Sequence, residues 1–267
     1  MTAKDFTANR FKPEGFLEVS DLSTHKPKSM TPVVGKAIRF DSRTHEVIVE
    51  FTNGILGIIP EDEFSIYDFT YSSNCIVPVP HQISSLIGRK VRAFVLGEME
   101  NGMFLLSRKR SMLEAWKSIK NGDILQAQII NIIHCGVFID IGSGITSYVP
   151  LTECSATRIF NPKKWFNLGE HIRVQISNKQ PLYRIDASIK QAYLTLEELT
   201  DLDQIFEGDV IAVKLSQQLP GGYFCEYTPN IVGIVDVFYD SFLSECKTIS
   251  ASVHKITPKG LKLRQLF

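Results

Sequence analysis

The sequence predicts an all-β protein: three tandem five-stranded barrels joined by short helical linkers. Three observations carry that expectation. From Pro32 onward, short runs rich in Val, Ile and Phe alternate with Gly, Asn and Asp punctuation. Two stretches of helical period interrupt them, and the same order of segments recurs three times. The 267 residues suit two domains, or three or four small ones, at roughly 100–200 residues per domain. Hydrophobic residues at 44% and charged residues at 22% exclude disorder as the main state.

Residues 1–30 are polar, with K-P-K and scattered Ser and Thr, and read as an N-terminal arm, loose or wrapped on the surface. V-V-G-K-A-I-R-F, E-V-I-V-E-F, G-I-L-G-I-I-P, K-V-R-A-F-V-L and M-F-L-L-S then each span about a strand. T-N-G at 52–54 and E-N-G at 100–102 are turn signals between such runs. In 111–120, Met112, Leu113, Trp116 and Ile119 recur at helical spacing and predict a linker helix. Strand texture resumes with I-L-Q-A-Q-I-I-N-I-I and continues to Y-R-I-D-A-S-I-K. Q-A-Y-L-T-L-E-E-L-T predicts a second helical linker, and a third strand set runs from D-V-I-A-V-K-L to L-K-L-R.

The repeats open alike, with V-V-G-K-A-I at 33, K-N-G-D-I-L at 120 and F-E-G-D-V-I at 206. Each continues with a strand carrying a late acid: V-I-V-E-F at 47, V-F-I-D-I at 137 and Y-F-C-E-Y at 223. A short strand follows in each, as G-I-I-P-E, Y-V-P-L-T-E and G-I-V-D-V. Five strands in ~70 residues, with a longer connection before the fourth, is the plan of an OB-fold barrel. The expected boundaries are 1–30 for the arm and 31–110, 117–191 and 204–267 for the three barrels.

The middle repeat resembles the S1 RNA-binding domain, named for bacterial ribosomal protein S1. G-D-I-L-Q-A-Q-I, G-V-F-I-D-I, Y-V-P-L-T-E, R-I-F-N-P-K, N-L-G-E-H-I-R-V-Q-I and R-I-D-A-S-I-K carry the resemblance in order and spacing. The first repeat resembles it through G-I-I-P-E-D-E, I-G-R-K-V-R-A-F-V and L-L-S-R-K. The third does so through G-D-V-I-A-V and Y-F-C-E-Y-T-P-N-I-V-G-I-V-D. The resemblance implies S1-type OB barrels that bind single-stranded RNA on the face of the second and third strands. Aromatic side chains stack on bases there, and basic residues meet the backbone.

Residue by residue, the resemblance puts a stacking aromatic on Phe138 and a late arginine on Arg184. Cys135, Pro150 and Gln180 depart from the pattern, and His134 and Tyr148 stand beside the departures as substitutes. In the first repeat Ile48, Pro60 and Met103 replace the family's residues. In the third, Phe224 matches but Asp236 would repel phosphate. The segment before the fourth strand of the middle repeat adds Arg158, Lys163, Lys164 and Trp165 as candidate RNA contacts, with Trp165 equally a lid on the barrel's open end. The alternative for Phe138 is packing in the barrel, and for Arg184 pairing with Asp186 or Asp140. Arg108-Lys109-Arg110 is a solvated charge run or a phosphate contact.

Lys+Arg 29 balance Asp+Glu 29 over the whole chain, so there is no global basic signature. Residues 31–110 hold 9 basic and 9 acidic groups, residues 117–191 hold 9 and 5, and residues 204–267 hold 6 and 6. The basic surplus therefore falls in the middle repeat, which predicts salt-dependent binding of modest affinity there.

Catalytic signatures such as G-x-x-x-x-G-K-[ST], H-E-x-x-H and G-x-S-x-G are lacking. Five scattered cysteines without C-x-x-C argue against a disulfide scaffold or a structural zinc site. No cofactor or metal is expected. The N-terminus lacks the apolar core of a secretory signal, and no run reaches the ~18 apolar residues of a membrane span. The expectation is a non-catalytic, cytoplasmic binder of single-stranded RNA (mRNA) in translation. Small ribosomal subunit proteins are its further partners, and a protein-docking module is the alternative.

Overall fold

The computed structural model describes residues 4, 11–17, 28, 30–52, 54–67, 86–237, 243 and 247–266. Asn53 of the first turn signal, Cys75 and Cys246 lie outside the described residues.

Strands β1 (Pro32–Asp41), β2 (Glu46–Glu50), β3 (Leu56–Ile59), β4 (Lys90–Glu98) and β5 (Phe104–Ser107) close a first barrel in the order β1-β2-β3-β5-β4. A second follows from β6 (Ile124–Ile133), β7 (Gly136–Asp140), β8 (Thr146–Pro150), β9 (His171–Gln180) and β10 (Arg184–Ser188). The third comprises β11 (Val210–Leu219), β12 (Gly222–Thr228), β13 (Ile231–Asp236), β14 (Thr248–Thr257) and β15 (Gly260–Gln265). All three share one strand order, closed by a parallel pairing of the third strand with the fifth. Closure leaves no unpaired edge.

Alternation along each strand sends one set of side chains inward. Val47, Val49, Ile59 and Leu106 fill the first barrel. Val137, Ile139, Val149 and Ile185 fill the second, and Val213, Leu215, Cys225 and Val235 the third. The complementary set faces outward and makes up the faces described below.

Helix α1 (Arg108–Ser118) links the first two barrels. It starts three residues earlier than its periodicity predicts, because the Ser107 hydroxyl accepts the Arg110 N–H at 2.9 Å and sets the N-terminus there. Short helices α2 (Leu151–Cys154) and α3 (Pro162–Trp165) lie within the long connection of the second barrel. Helix α4 (Leu196–Asp201) leads into the third barrel, held by a Thr195–Glu198 capping box.

Part of the arm is built into the structure. Phe11 and Leu17 are buried, and Phe11 joins the core of the second barrel. Ser143 N–H donates to the Lys12 carbonyl at 3.0 Å, and the Glu14 N–H donates to the Asp140 carboxylate at 2.8 Å. Arg108, at the head of the expected solvated run, is only 6% exposed. It grips Glu14 through Nε at 2.7 Å and a second nitrogen at 2.9 Å, and donates to the Phe64 carbonyl at 3.1 Å. Residues 11–17 thus run as a strap between the first two barrels. Burial, with the Glu14 carboxylate beside it, pushes the Asp140 carboxyl up to about 7, against the pull of its N–H donors and Arg108.

Candidate nucleic-acid interface

The β6–β7 hairpin turns on His134 and Cys135, both exposed. From there a row of outward side chains crosses the second barrel from strand to strand. Asn131 on β6 is opposite Phe138 on β7, Phe138 is opposite Tyr148 on β8, and Tyr148 is opposite Asp186 on β10. The Phe138 and Tyr148 rings meet with centroids 5.2 Å apart and planes tilted by 46°. Phe138 is half-buried and Tyr148 exposed, so the pair presents aromatic surface without being free to collapse inward.

Tyr148 is fixed by its hydroxyl, which donates to the Cys135 carbonyl at 2.8 Å. Its partial desolvation and that donated bond push the phenol up to about 12. Gly136 makes the arrangement sterically feasible: a Cβ there would stand 2.3 Å from the Val149 carbonyl oxygen and 2.7 Å from the Tyr148 ring. The aromatic pair thus has a backbone cause as well as a side-chain one.

Arg184 is exposed at the start of β10, opposite Gln180. Among the described residues no carboxylate forms an ion pair with it. The two acids that sequence offered as partners are engaged elsewhere. Asp186 accepts from Gln180 Nε2 at 2.5 Å, and Asp140 is buried at the strap. The turn before Arg184 holds Leu182 and Tyr183 in left-handed conformations, with φ of 61° and 59°, and leaves Leu182 79% exposed.

The connection at 155–165 does something sequence reasoning did not foresee. The Ala156 N–H donates to the Pro229 carbonyl at 2.7 Å, the Thr157 hydroxyl donates to Ser216 Oγ at 2.9 Å, and the Ser155 hydroxyl donates to the buried Glu226 carboxylate. Lys214 Nζ donates to the Trp165 carbonyl at 2.6 Å and sits 4.4 Å from the Trp165 ring centroid. Trp165 is 5% exposed and belongs to the second barrel's core, which separates it from the other candidates in its loop. Arg158 remains exposed, with its guanidinium 4.8 Å from the Phe160 ring centroid, and Lys163 and Lys164 are exposed on α3.

The corresponding rows on the other barrels differ in chemistry. On the first, Arg39, Ile48, Ile58 and Leu105 follow one another across β1, β2, β3 and β5. On the third, Phe224, Ile234 and Lys262 do so across β12, β13 and β15. Phe224 is 38% exposed and Ile234 39%. Lys262 was missed because the charge count took the third repeat as a whole.

Among the described residues, no group of three or more His, Cys, Asp or Glu converges as a metal site. No helix among them is long and apolar enough to cross a membrane.

Residues 118–190 match the family model described as the S1 RNA binding domain. Similar curated proteins include the small ribosomal subunit protein bS1 of Staphylococcus haemolyticus, 29% identical over 150 residues, covering 52% of this chain and 37% of the relative. The protein of the same name from Streptococcus pneumoniae is 28% identical over 198 residues, covering 71% and 46%. The chain therefore spans less than half the length of these relatives. Among solved structures, a multidomain protein with nucleic acid binding domains from Streptococcus pneumoniae aligns over 89% of this chain and 73% of its own, at 14% identity and a TM-score of 0.31. The solution structure of GSP13 from Bacillus subtilis aligns over 34% and 75%, at 15% identity and a TM-score of 0.27. Residues 118–190 are an S1-type domain, and the barrels on either side repeat its strand order.

Proposed function

With an S1-type domain at the centre of the chain, we propose that the protein binds single-stranded RNA without catalysing a reaction on it, as a cytoplasmic participant in translation. One observation carries the reading: the paired Phe138 and Tyr148 rings stand on an open strand face of the barrel that matches the RNA-binding family. Each base has a π-face, so a platform of this kind accepts many sequences, at about 1–3 kcal/mol per stacked base. Arg184, which no carboxylate pairs with among the described residues, supplies a cation beside the row. Arg158, Lys163 and Lys164 are further exposed cations of the same repeat, and His134 is exposed in the β6–β7 turn beside Cys135, whose carbonyl holds Tyr148. Trp165 serves the reading indirectly, by anchoring the loop that displays those cations.

The test is fluorescence anisotropy of a labelled, unstructured RNA titrated with the full chain at two salt concentrations, with duplex RNA and single-stranded DNA as controls. Saturable binding that prefers single strands and weakens with salt supports the reading. Absence of binding at tens of micromolar protein in low salt removes it.

A second role fits the first barrel. Its row is aliphatic where the second barrel has aromatics, through Ile48, Ile58 and Leu105. Such a face suits docking on a protein, and a protein of the small ribosomal subunit is the partner this reading names. Pull-down of small subunits by the full chain and by Ile58→Asp separates docking from RNA binding.

A further inference from the structure

Two surfaces at the third barrel match each other in chemistry. The first is the connection that leads into it. Between Lys190 and Lys214 the chain has six acids, Glu197, Glu198, Asp201, Asp203, Glu207 and Asp209, and no Lys, Arg or His. Leu199 and Ile205 are buried in the third core and hold this connection down, while Leu202, Phe206 and Val210 are each more than half exposed. Large apolar side chains left exposed among charged ones mark an interaction surface. Glu198 is engaged in its capping box, and Asp209 accepts the Phe206 N–H at 2.8 Å. Glu197 and Asp201 are four apart on α4, so they share a face and repel each other. Both are exposed, as is Asp203, and among the described residues no cation forms an ion pair with any of the three.

The second surface is a groove of about 550 Å³ lined by Phe224, Val232, Ile234, Pro258, Lys259 and Lys262. A volume of that order encloses a compact apolar group. Its floor is apolar, from Phe224 on β12 and from Val232 and Ile234 on β13. Its cations come from the β14–β15 hairpin, whose residues 248–265 include Lys255, Lys259, Lys262 and Arg264 and no acid. Lys259 and Lys262 are exposed, and among the described residues no carboxylate pairs with either. Gly260, at φ 133°, lets the hairpin close on β13, since a Cβ there would stand 2.4 Å from the Val232 carbonyl oxygen. The acidic connection does not fill the groove of its own chain. The Gly208 N–H donates to the Val253 carbonyl at 2.7 Å and the Val253 N–H to the Asp209 carbonyl at 2.8 Å, which ties the connection to β14. In the barrel order, β13 is next to neither β11 nor β14.

We propose that the groove receives the acidic connection of a second copy of this chain, with Phe206 and Leu202 seated on the apolar floor and Glu197 and Asp201 facing Lys259 and Lys262. Charge complementarity selects the occupant, because the groove is apolar and basic and the connection is apolar and acidic. Groove against groove, or connection against connection, would set like charges together. Each contact therefore joins two different patches. A single groove of this size gives a small contact, of the class below about 1,200 Å², so association is weak and rises with protein concentration. Its charged rim is exposed, so salt weakens it. The inference uses neither the second barrel nor an RNA ligand, and it stands or falls apart from the RNA reading.

The experiment is sedimentation velocity of the full chain over a range of concentrations, in low and high salt. Wild type is compared with two charge reversals, Lys259→Glu/Lys262→Glu in the groove and Glu197→Lys/Asp201→Lys in the connection. All four side chains are exposed, and urea midpoints close to wild type verify the folds. The wild-type sedimentation coefficient is expected to climb with concentration in low salt and to return to the monomer value in high salt. Each reversal alone should stay monomeric. An equimolar mixture of the two should associate again, because the acidic groove of one then meets the basic connection of the other. Phe206→Ala, which leaves every charge in place, should weaken wild-type association roughly tenfold through lost apolar burial. Wild type that stays monomeric at the highest concentration in low salt overturns the inference. So does association that survives both reversals, or that mixing fails to restore. A monomer whose Lys259→Glu/Lys262→Glu variant loses RNA affinity would assign the groove to RNA and overturn it too.

Discussion

Arg108 and Glu14, 94 positions apart in sequence, form a two-pronged ion pair with side chains only 8% exposed. Arg108 begins the helix between the first two barrels, and Glu14 lies on the strap that crosses their junction. Removing one partner leaves a charge buried without compensation, at a cost of about 3–5 kcal/mol. Arg108→Ala and Glu14→Ala are each expected to lose stability on that scale. The apolar double replacement Arg108→Met/Glu14→Leu should lose much less. Urea unfolding of the three variants checks this, and equal losses in all three would contradict it.

The strap also predicts a pH dependence. The Asp140 carboxyl rises from 3.8 to about 7 on folding, chiefly through burial and then through the Glu14 carboxylate. A group whose folded pKa is raised favours the folded state most below its unfolded pKa. Its contribution is therefore full below about pH 4, declines as pH climbs towards 7, and levels off above that. Urea midpoints between pH 4.5 and 7.5 should fall less steeply for Asp140→Asn than for wild type. Parallel profiles would exclude Asp140 as the titrating group.

For the proposed RNA face, Phe138→Ala is expected to weaken single-strand affinity by about 1–3 kcal/mol. Arg184→Ala should reduce the salt slope by about 0.7. Both should leave docking by the first barrel intact. The anisotropy titration described above reads both quantities.

Gly136→Ala tests the backbone beneath the aromatic pair. Its Cβ would press on the Val149 carbonyl oxygen, which belongs to the β8 ladder and yields only if the strand moves. A loss of about 1–3 kcal/mol is expected from such overpacking. Altered Tyr148 ring resonances in NMR spectra would show that the strain reaches the neighbouring ring.

Trp165→Ala should cost about 3–5 kcal/mol, as for other large buried aromatics. It should also remove the ring that Lys214 sits against, leaving only that lysine's bond to the residue 165 carbonyl, and loosen the second barrel from the third. Limited proteolysis would show cleavage in 155–165 that wild type resists. A stable variant that merely lost RNA affinity would instead make Trp165 a direct contact.

The barrel plan was legible in sequence because period-two runs, turn residues and a threefold repeat all point to the same strand order. Phe138, Arg184 and Phe224 were legible as candidates because a motif position survives dispersion along a strand, and Tyr148 because it stands next to one that departs. What lay hidden depends on contacts between distant residues. Nothing around Glu14 reveals that Arg108 lies opposite it, and the polar texture of 1–30 conceals two buried apolar anchors, Phe11 and Leu17. Trp165 reads alike as a base platform or a core residue until Lys214 is seen on its face. The basic hairpin was hidden by averaging, since acids elsewhere in the repeat cancel it in any count over the whole segment.

The clamp at 155–165 fixes how the second and third barrels present their outer faces. Domains on a slack tether sample many separations, and their joint affinity declines smoothly as the ligand is shortened. Barrels pinned by Lys214, Thr157 and Ala156 hold their faces at one spacing. Any ligand long enough to touch both faces therefore meets them at one fixed separation, as marks on a ruler.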